Sequence, residues 1–476
     1  MSGADVDQTR WSSPQGNVTG LGIVASYSLR FWTLVIGLGL LAGISAGLLI
    51  LLLRFVERVT YGGHGYSVVR MATADPGWQR LLALLGAACI VVGGLAWLGR
   101  LRPAGATEVS DGLWVHAGKL ALVPSLARGI ISIVTVGMGV SLGREGAPQL
   151  FGAVMASRAS DRMGLPLWQR RLLVAAGAGA GFSAVYNVPL GGTLFALEVL
   201  LGTIALPLVL PALLMSLTAT AIAWIILGNQ PLYHVGAVHF HLSQLVFAVV
   251  MGPIIGVVAT GWTRVIGLVA RHRPRGRWRY IAPFLAFAVL GLLSMRYPQL
   301  LGNGRGIVQL AIIGNLSVGL LVVLLLLKPL VTSLCLGTGA PGGLFTPSFA
   351  VGVLLAGTAG AVWGDVWPGS LPGAYALIGG GAFLAAAMQG PLSGVVLVIE
   401  LTGHLDALVV PTLLAVVIAT VVSRRLGAAS IYSARVDTGA LSRDRPAGDA
   451  ASVAAIDELD HRAVGLDPPD PPPDRS

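Results

Sequence analysis

Long apolar runs alternate with short polar breaks along most of the chain. Runs at 31–53, 81–98, 204–227, 246–270, 281–295, 318–336 and 409–422 read as membrane-crossing segments. About 20 apolar residues cover the roughly 30 Å of hydrocarbon in a bilayer. Shorter apolar stretches between them are interrupted by Gly or Pro. The pattern predicts an all-α, polytopic membrane protein.

Composition agrees. Of 476 residues, 55% are hydrophobic and 11% charged, and the mean hydropathy is +0.79. Soluble domains carry roughly 25% charged residues. The net charge of +10 raises the question of nucleic acid. Its placement answers it: RHRPRGRWR at 271–279 and the pair Arg424–Arg425 flank apolar runs. Short Lys/Arg-rich loops mark the cytoplasmic side of a membrane protein, and no soluble domain is visible to carry a nucleic-acid patch. The two cysteines, Cys89 and Cys335, lie in apolar runs and are expected in the core, neither bridged nor metal-bound. Residues 1–30 read as a cytoplasmic segment without a signal peptide. Residues 31–435 read as the membrane domain, and 436–476, ending in DPPDPPPDRS, as a disordered tail with no regulatory domain. The eight histidines are scattered and form no HExxH motif. No enzyme chemistry, cofactor or metal is expected.

The 65 glycines have a pattern. GAGAGFSAVYNVPLGGTLFALE (177–198) matches GGGAFLAAAMQGPLSGVVLVIE (379–400) without a gap, with eight of 22 positions identical. Each copy holds a small-residue helix, a break, a Pro suited to a new first turn, and a closing Glu (Glu198 or Glu400). The membrane domain therefore divides into two repeats, roughly 31–230 and 231–435. Paired broken segments point to a transporter or channel with its site between the halves.

Three further Gly-rich breaks stand out: PAGATE (103–108), GREGAP (143–148) and GTGAPGGLFTP (337–347). A helix N-terminus carries about half a positive charge and several free N–H groups. Three of them converging at depth make an anion site without a fixed cation, which binds a halide loosely enough for it to leave. Arg144 and Glu145 lie side by side within one such break. Charges at bilayer depth cost at least a few kcal/mol and usually mark a pathway.

These residues resemble the CLC family of chloride channels and chloride/proton antiporters. GREGAP is similar to that family's GREGP, GAPGGLFTP to its GxPGGxFxP, and IYSARV (431–436) to the segment carrying its pore tyrosine. The resemblance runs from about Val35 to Tyr432. It implies an inverted repeat of tilted and re-entrant helices, assembled as a homodimer. It also implies roles. Glu145 matches the gating glutamate. Backbone amides of Arg144, Glu145 and Gly146 would line the outer anion position, and those of Leu344 and Phe345 the centre. Tyr432 would offer its hydroxyl to the central ion, and Arg128 would raise the local potential. Ala104 and Gly105 fall in the first anion-binding motif.

Two departures matter. The family's first motif is usually GSGIPE, with its serine hydroxyl on the central ion; here Ala104 takes that place and Thr107 stands for the proline. Antiporters of the family usually carry a glutamate pair at the inner proton site. Here Glu198 is followed by Val199, which carries no proton. Glu198 does not substitute, because neighbouring helical residues point about 100° apart. Its repeat partner Glu400 suggests capping or hydrogen bonding for both. EVLLGT resembles the ClcB-type branch. The expectation is a chloride-conducting CLC-type protein, channel-like or weakly proton-coupled, in a bacterial inner membrane. The alternatives are a coupled chloride/proton antiporter and a member selective for fluoride or nitrate. Other halides, protons and bilayer lipid are further expected partners.

Overall fold

The computed structural model describes residues 27–62, 68–101, 105–236, 238–403 and 407–436. The expected N-terminal segment, the expected disordered tail and Ala104 lie largely or wholly outside these residues. Helices follow one another in the order α1 Leu29–Tyr61, α2 Val68–Ala74, α3 Gly77–Leu98, α4 Val109–Trp114, α5 Leu122–Gly137, α6 Gly146–Arg162 and α7 Leu167–Tyr186. Then come α8 Pro189–Leu194, α9 Leu206–Leu227, α10 Leu242–Arg271, α11 Trp278–Arg296, α12 Arg305–Ile312 and α13 Val318–Gly337. The last are α14 Phe345–Val366, α15 Pro372–Met388, α16 Pro391–Thr402 and α17 Val409–Arg425. α8 continues into a wider π-helical stretch, Phe195–Leu201.

Among the described residues, seven helices are long and apolar enough to cross a membrane: α1, α3, α9, α10, α11, α13 and α14. One differs from the expectation. α17 has 17 residues, whereas α14, which begins inside the GAPGGLFTP break, runs for 22. The break at 337–344 starts a long helix, and reading it as an interruption hides the apolar run behind it.

Small residues set the packing. In α1, Gly39, Gly43 and Gly47 face α9, where an added Cβ would strike Met215, Ala219 and Ile226. In the second half, Gly252 and Gly256 of α10 face Ile418 and Ala419 of α17 in the same manner. Lipid offers apolar groups no drive to leave it, so close backbone approach and van der Waals contact hold such pairs together. Cys335 is buried, but Cys89 is exposed, a correction to its expected core position. α3, which carries Cys89, has only 22% of its apolar window buried. Hydropathy there matches lipid, not a protein interior.

The repeat is visible at its hinges. α7 ends on Asn187 and α15 on Gln389, equivalent positions that share a left-handed φ of 59°. Asn tolerates that conformation better than Gln. Each is followed two residues later by the Pro that opens the next helix. The two post-hinge helices cap each other. Glu198 accepts from Leu392 N–H (3.1 Å) and Ser393 N–H (2.6 Å) in the first turn of α16. Glu400, near the end of α16, accepts from Leu190 N–H (3.0 Å) and Gly191 N–H (2.6 Å) in the first turn of α8. Each helix end meets the other's start, so the equivalent segments run antiparallel. A parallel repeat would set the two starts side by side. The halves are therefore inverted.

Candidate anion pathway

The site is built where the two Gly-rich loops meet. Gly143 N–H donates to Gly343 C=O (2.7 Å), and Gly343 N–H returns the bond to Gly143 C=O (2.8 Å). This short antiparallel pairing fixes the starts of α6 and α14 side by side. Glu145 is the N-cap residue of α6 and Leu344 that of α14.

The Glu145 carboxylate reaches from one helix start to the other. It is fully buried, at 0% exposure. Its Oε1 accepts from Phe345 N–H at 2.7 Å. Its Oε2 accepts from the Tyr186 hydroxyl at 2.8 Å, and the Thr346 hydroxyl lies 3.4 Å away. Tyr186 and Thr346 hydroxyls are 2.6 Å apart. Glu145 has no ion-pair partner among the described residues. It is held by neutral donors and a helix start, the means available to an anion at a helix N-terminus. The glycines around it have a steric reason. A Cβ on Gly143 or Gly343 would occupy the space of the carboxylate itself.

A cavity of about 70 Å³ adjoins this point. Its walls include Val109 and Ser110 of α4, Gly146 and Gln149 of α6, Gly343 before α14, and Tyr432. Three helix starts thus border one space. Tyr432 is positioned by the Ile431 N–H bond to Ala387 C=O (2.8 Å) and by ring contact with Phe195 at 5.3 Å. Its hydroxyl is buried and has no hydrogen-bond partner among the described residues.

The expected residues fare differently. Glu145, Gly146 and Tyr432 line the cavity; Leu344 and Phe345 do not, although the Phe345 N–H bonds the Glu145 carboxylate that does. Gly105 does not line it. Its neighbour Ala106 pairs with the strand-like segment 119–121 (Ala106 N–H to Lys119 C=O, 3.3 Å; Ala121 N–H to Ala106 C=O, 2.9 Å). Gly105 itself has φ 129°, so its glycine serves the turn. Thr107 to Ser110 reach the cavity in its place.

Arg128, expected to raise the local potential, lines the cavity and does so in company. It is ion-paired to Glu108 at 2.8 Å, and Arg435 holds the other oxygen of Glu108 at 3.1 Å. Burial works against ionising Glu108, but Arg435, Arg128 and Arg273 outweigh it and bring its pKa down to about 2. The cluster keeps a net positive charge at the cavity rim. Arg144 turns the other way. Its guanidinium lies 5.3 Å from the Tyr186 ring centroid and borders a second cleft with Arg54, Glu57 and Arg305. A cation over an aromatic face is favourable. Val199 is buried and packs against Gly390, on the π-helical stretch that also carries Glu198. Glu198 takes a third bond, from the Ser393 hydroxyl at 2.6 Å.

Three residues escaped the sequence reading. Tyr186 is the clearest: it touches Glu145 directly. Its signal lies in the repeat, where it pairs with Met388, so a hydroxyl appears in one half alone. Thr346 sits within the GAPGGLFTP motif but beside the glycines that drew attention. Lys328, in the middle of α13, is fully buried and donates to Ser141 Oγ (2.8 Å), Leu300 C=O (3.1 Å) and Gly302 C=O (2.8 Å). It ties the loop leading to Glu145 to the loop before α12.

An inverted helical repeat with paired helix starts around a buried carboxylate defines an ion-transport protein. The family described as Voltage gated chloride channel matches residues 87–424, and this chain belongs to it. It is a multi-pass membrane protein of CLC-type chloride transport, in the ClcB-like branch. The voltage-gated ClC-type chloride channel ClcB of Salmonella typhi is 30% identical over 405 residues, covering 83% of this chain and 96% of that protein. The H(+)/Cl(-) exchange transporter ClcA of Yersinia pestis bv. Antiqua (strain Angola) is 32% identical over 311 residues, 63% of this chain and 65% of that one. Among solved structures, a slow cyanobacterial Cl-/H+ antiporter shares the fold at TM-score 0.76 and 22% identity, covering 88% of this chain and 100% of its own. A CLC-type fluoride/proton antiporter does so at 0.70 and 21%, covering 88% and 99%.

Proposed function

We propose that this chain conducts chloride past Glu145 in a channel-like or weakly proton-coupled manner. The observation that carries the reading is the Glu145 carboxylate, buried on the N–H of Phe345 at the start of α14. A carboxylate and a halide compete for the same donors. When a permeating anion or a proton displaces it, the side chain leaves and the pathway opens. Arg144, in the cleft on the far side of Tyr186, draws anions toward the entrance.

Proton coupling needs a second relay on the inner side. Val199 offers none, and Glu198 has both oxygens engaged in capping α16. The basic segment 271–279 lies near Glu108 through Arg273, so the Glu108 cluster marks the cytoplasmic end. A homodimer in a bacterial inner membrane completes the reading.

The test is reconstitution in liposomes with an outward chloride gradient, recording chloride efflux and external pH together. Efflux under valinomycin without proton uptake supports the reading. Proton pumping that Glu145→Gln abolishes replaces it with coupled antiport. Flux of fluoride or nitrate without chloride moves the assignment to another anion.

A further inference from the structure

We propose that Gln149 and Ser132 supply two further side-chain donors, beside the Tyr432 hydroxyl, to the halide seat next to Glu145. The inference rests on the reading that this cavity conducts chloride. Three elements supply the three groups: Gln149 from the first turn of α6, Ser132 from α5, and Tyr432 from the segment after α17. All three line the same cavity. All three are buried, and Gln149 Nε2, Ser132 Oγ and Tyr432 Oη have no hydrogen-bond partner among the described residues.

Such groups are normally satisfied within the fold; many in this chain are, although the hydroxyls of Ser125, Ser160, Ser216 and Ser333, away from the cavity, are unpartnered as well. One turn after Ser132, Thr135 bonds back to Ile131 C=O at 2.8 Å. Ser183 bonds Gly179 C=O and Ser348 bonds Leu344 C=O in the same way. Gln244, in the first turn of α10, places its Nε2 on His239 C=O and Ser370 Oγ. Ser132 and Gln149 have the same local options and use none of them. The Gln149 side chain instead faces the Tyr432 hydroxyl across the cavity wall. Unpaired buried donors are costly, so three of them around one space call for an acceptor that arrives from outside. A halide accepts from several directions at once and fits that need. The donors are neutral, which keeps the anion mobile. Arg128 and Arg435 are held off on Glu108 at the rim and supply attraction without contact.

The test uses full-length purified protein. Chloride affinity is measured by isothermal titration, and the anion is located by bromide anomalous diffraction. Each lost donor to an anion should weaken chloride binding roughly tenfold in Gln149→Leu and in Ser132→Ala, and further in the double variant. A bromide peak within hydrogen-bond reach of Gln149 and Tyr432 is expected, and it should fade in Gln149→Leu. Ser132→Ala removes a single oxygen, so it keeps the test valid if Gln149→Leu misfolds, and melting curves check both. Unchanged affinity in both variants, while the wild type still shows Glu145-dependent chloride flux, overturns the donor set alone. A bromide peak beyond reach of Gln149 and Ser132 does the same. A wild type that binds and moves no halide removes both this inference and the reading beneath it.

Discussion

Tyr186→Phe removes one oxygen and little else, and it should free Glu145. The carboxylate has two short bonds, to Phe345 N–H at 2.7 Å and to Tyr186 Oη at 2.8 Å, with Thr346 at 3.4 Å beyond the usual O–H···O range. A hydrogen bond to a charged group contributes about 1.5–3 kcal/mol. The lower end applies here. When Glu145 departs, the Tyr186 hydroxyl keeps Thr346 as a partner at 2.6 Å, so part of the bond is recovered. About 1.5 kcal/mol is roughly tenfold in an equilibrium. Tyr186→Phe should therefore lower the chloride concentration that half-displaces Glu145 by about tenfold, and should raise efflux from liposomes at low chloride. The pH at which external protons release the side chain should move upward as well. The control is the same substitution in a Glu145→Ala background, where there is no carboxylate to hold and the effect should vanish. An equal effect in both backgrounds would refute the latch and leave only a packing change. Thr346→Val combined with Tyr186→Phe should exceed Tyr186→Phe alone, because Thr346 is the hydroxyl able to move in.

Glu400→Ala removes two N–H partners from the start of α8. At about 1–2 kcal/mol for a charged cap, it should lower the melting temperature of the detergent-purified protein, with Glu198→Ala acting similarly at α16; equal melting would remove the caps from the stability account. Lys328→Met leaves Ser141, Leu300 and Gly302 short of a donor and should destabilise by about 3 kcal/mol. Lys328→Arg should retain part of the loss, as differential scanning will show. Glu108 is held near 2 by Arg435, Arg128 and Arg273, below its unfolded value. Its contribution to stability is thus complete above the unfolded carboxylate pKa of about 4.3 and is lost as pH falls toward about 2. The melting difference between wild type and Glu108→Gln should be flat from pH 7 to 5 and shrink below that; shrinkage near neutrality would contradict the pairing.

The apolar pattern carried much of the fold, because lipid imposes one length and one polarity on every crossing segment. It failed at α14, where a Gly-rich start reads locally as a break, and at Cys89, where hydropathy cannot separate lipid from protein core. The two Gly-rich loops were legible because backbone approach to an anion leaves glycine as a trace. Gly105 bears the same trace for another reason, a turn with φ 129°. Arg128 was legible as a charge, but its partner Glu108, and Arg435 on that carboxylate's other oxygen, were not. Those contacts span 20 and 327 residues of sequence, and nothing local announces them. The internal match of the two halves did not by itself separate a parallel from an inverted repeat; the resemblance implied inversion, and the reciprocal bonds of Glu198 and Glu400 show it.

Those bonds also show how the duplicated scaffold divides its labour. Glu198 and Glu400 occupy equivalent places and do equivalent work, each tying one half to the helix start of the other. Asn187 and Gln389 repeat the hinge. Residues that match across the repeat hold the frame together. The residues that touch the anion pathway do not match. Tyr186 stands opposite Met388, and Glu145 reaches across the Gly143–Gly343 pairing into the other half's loop. A symmetric frame alone gives its two mouths the same chemistry. Direction and gating require groups that break the symmetry, and here they collect where the two halves touch. In such a chain the positions at which a repeat departs from itself, set on helices that otherwise agree, are where mutagenesis should begin.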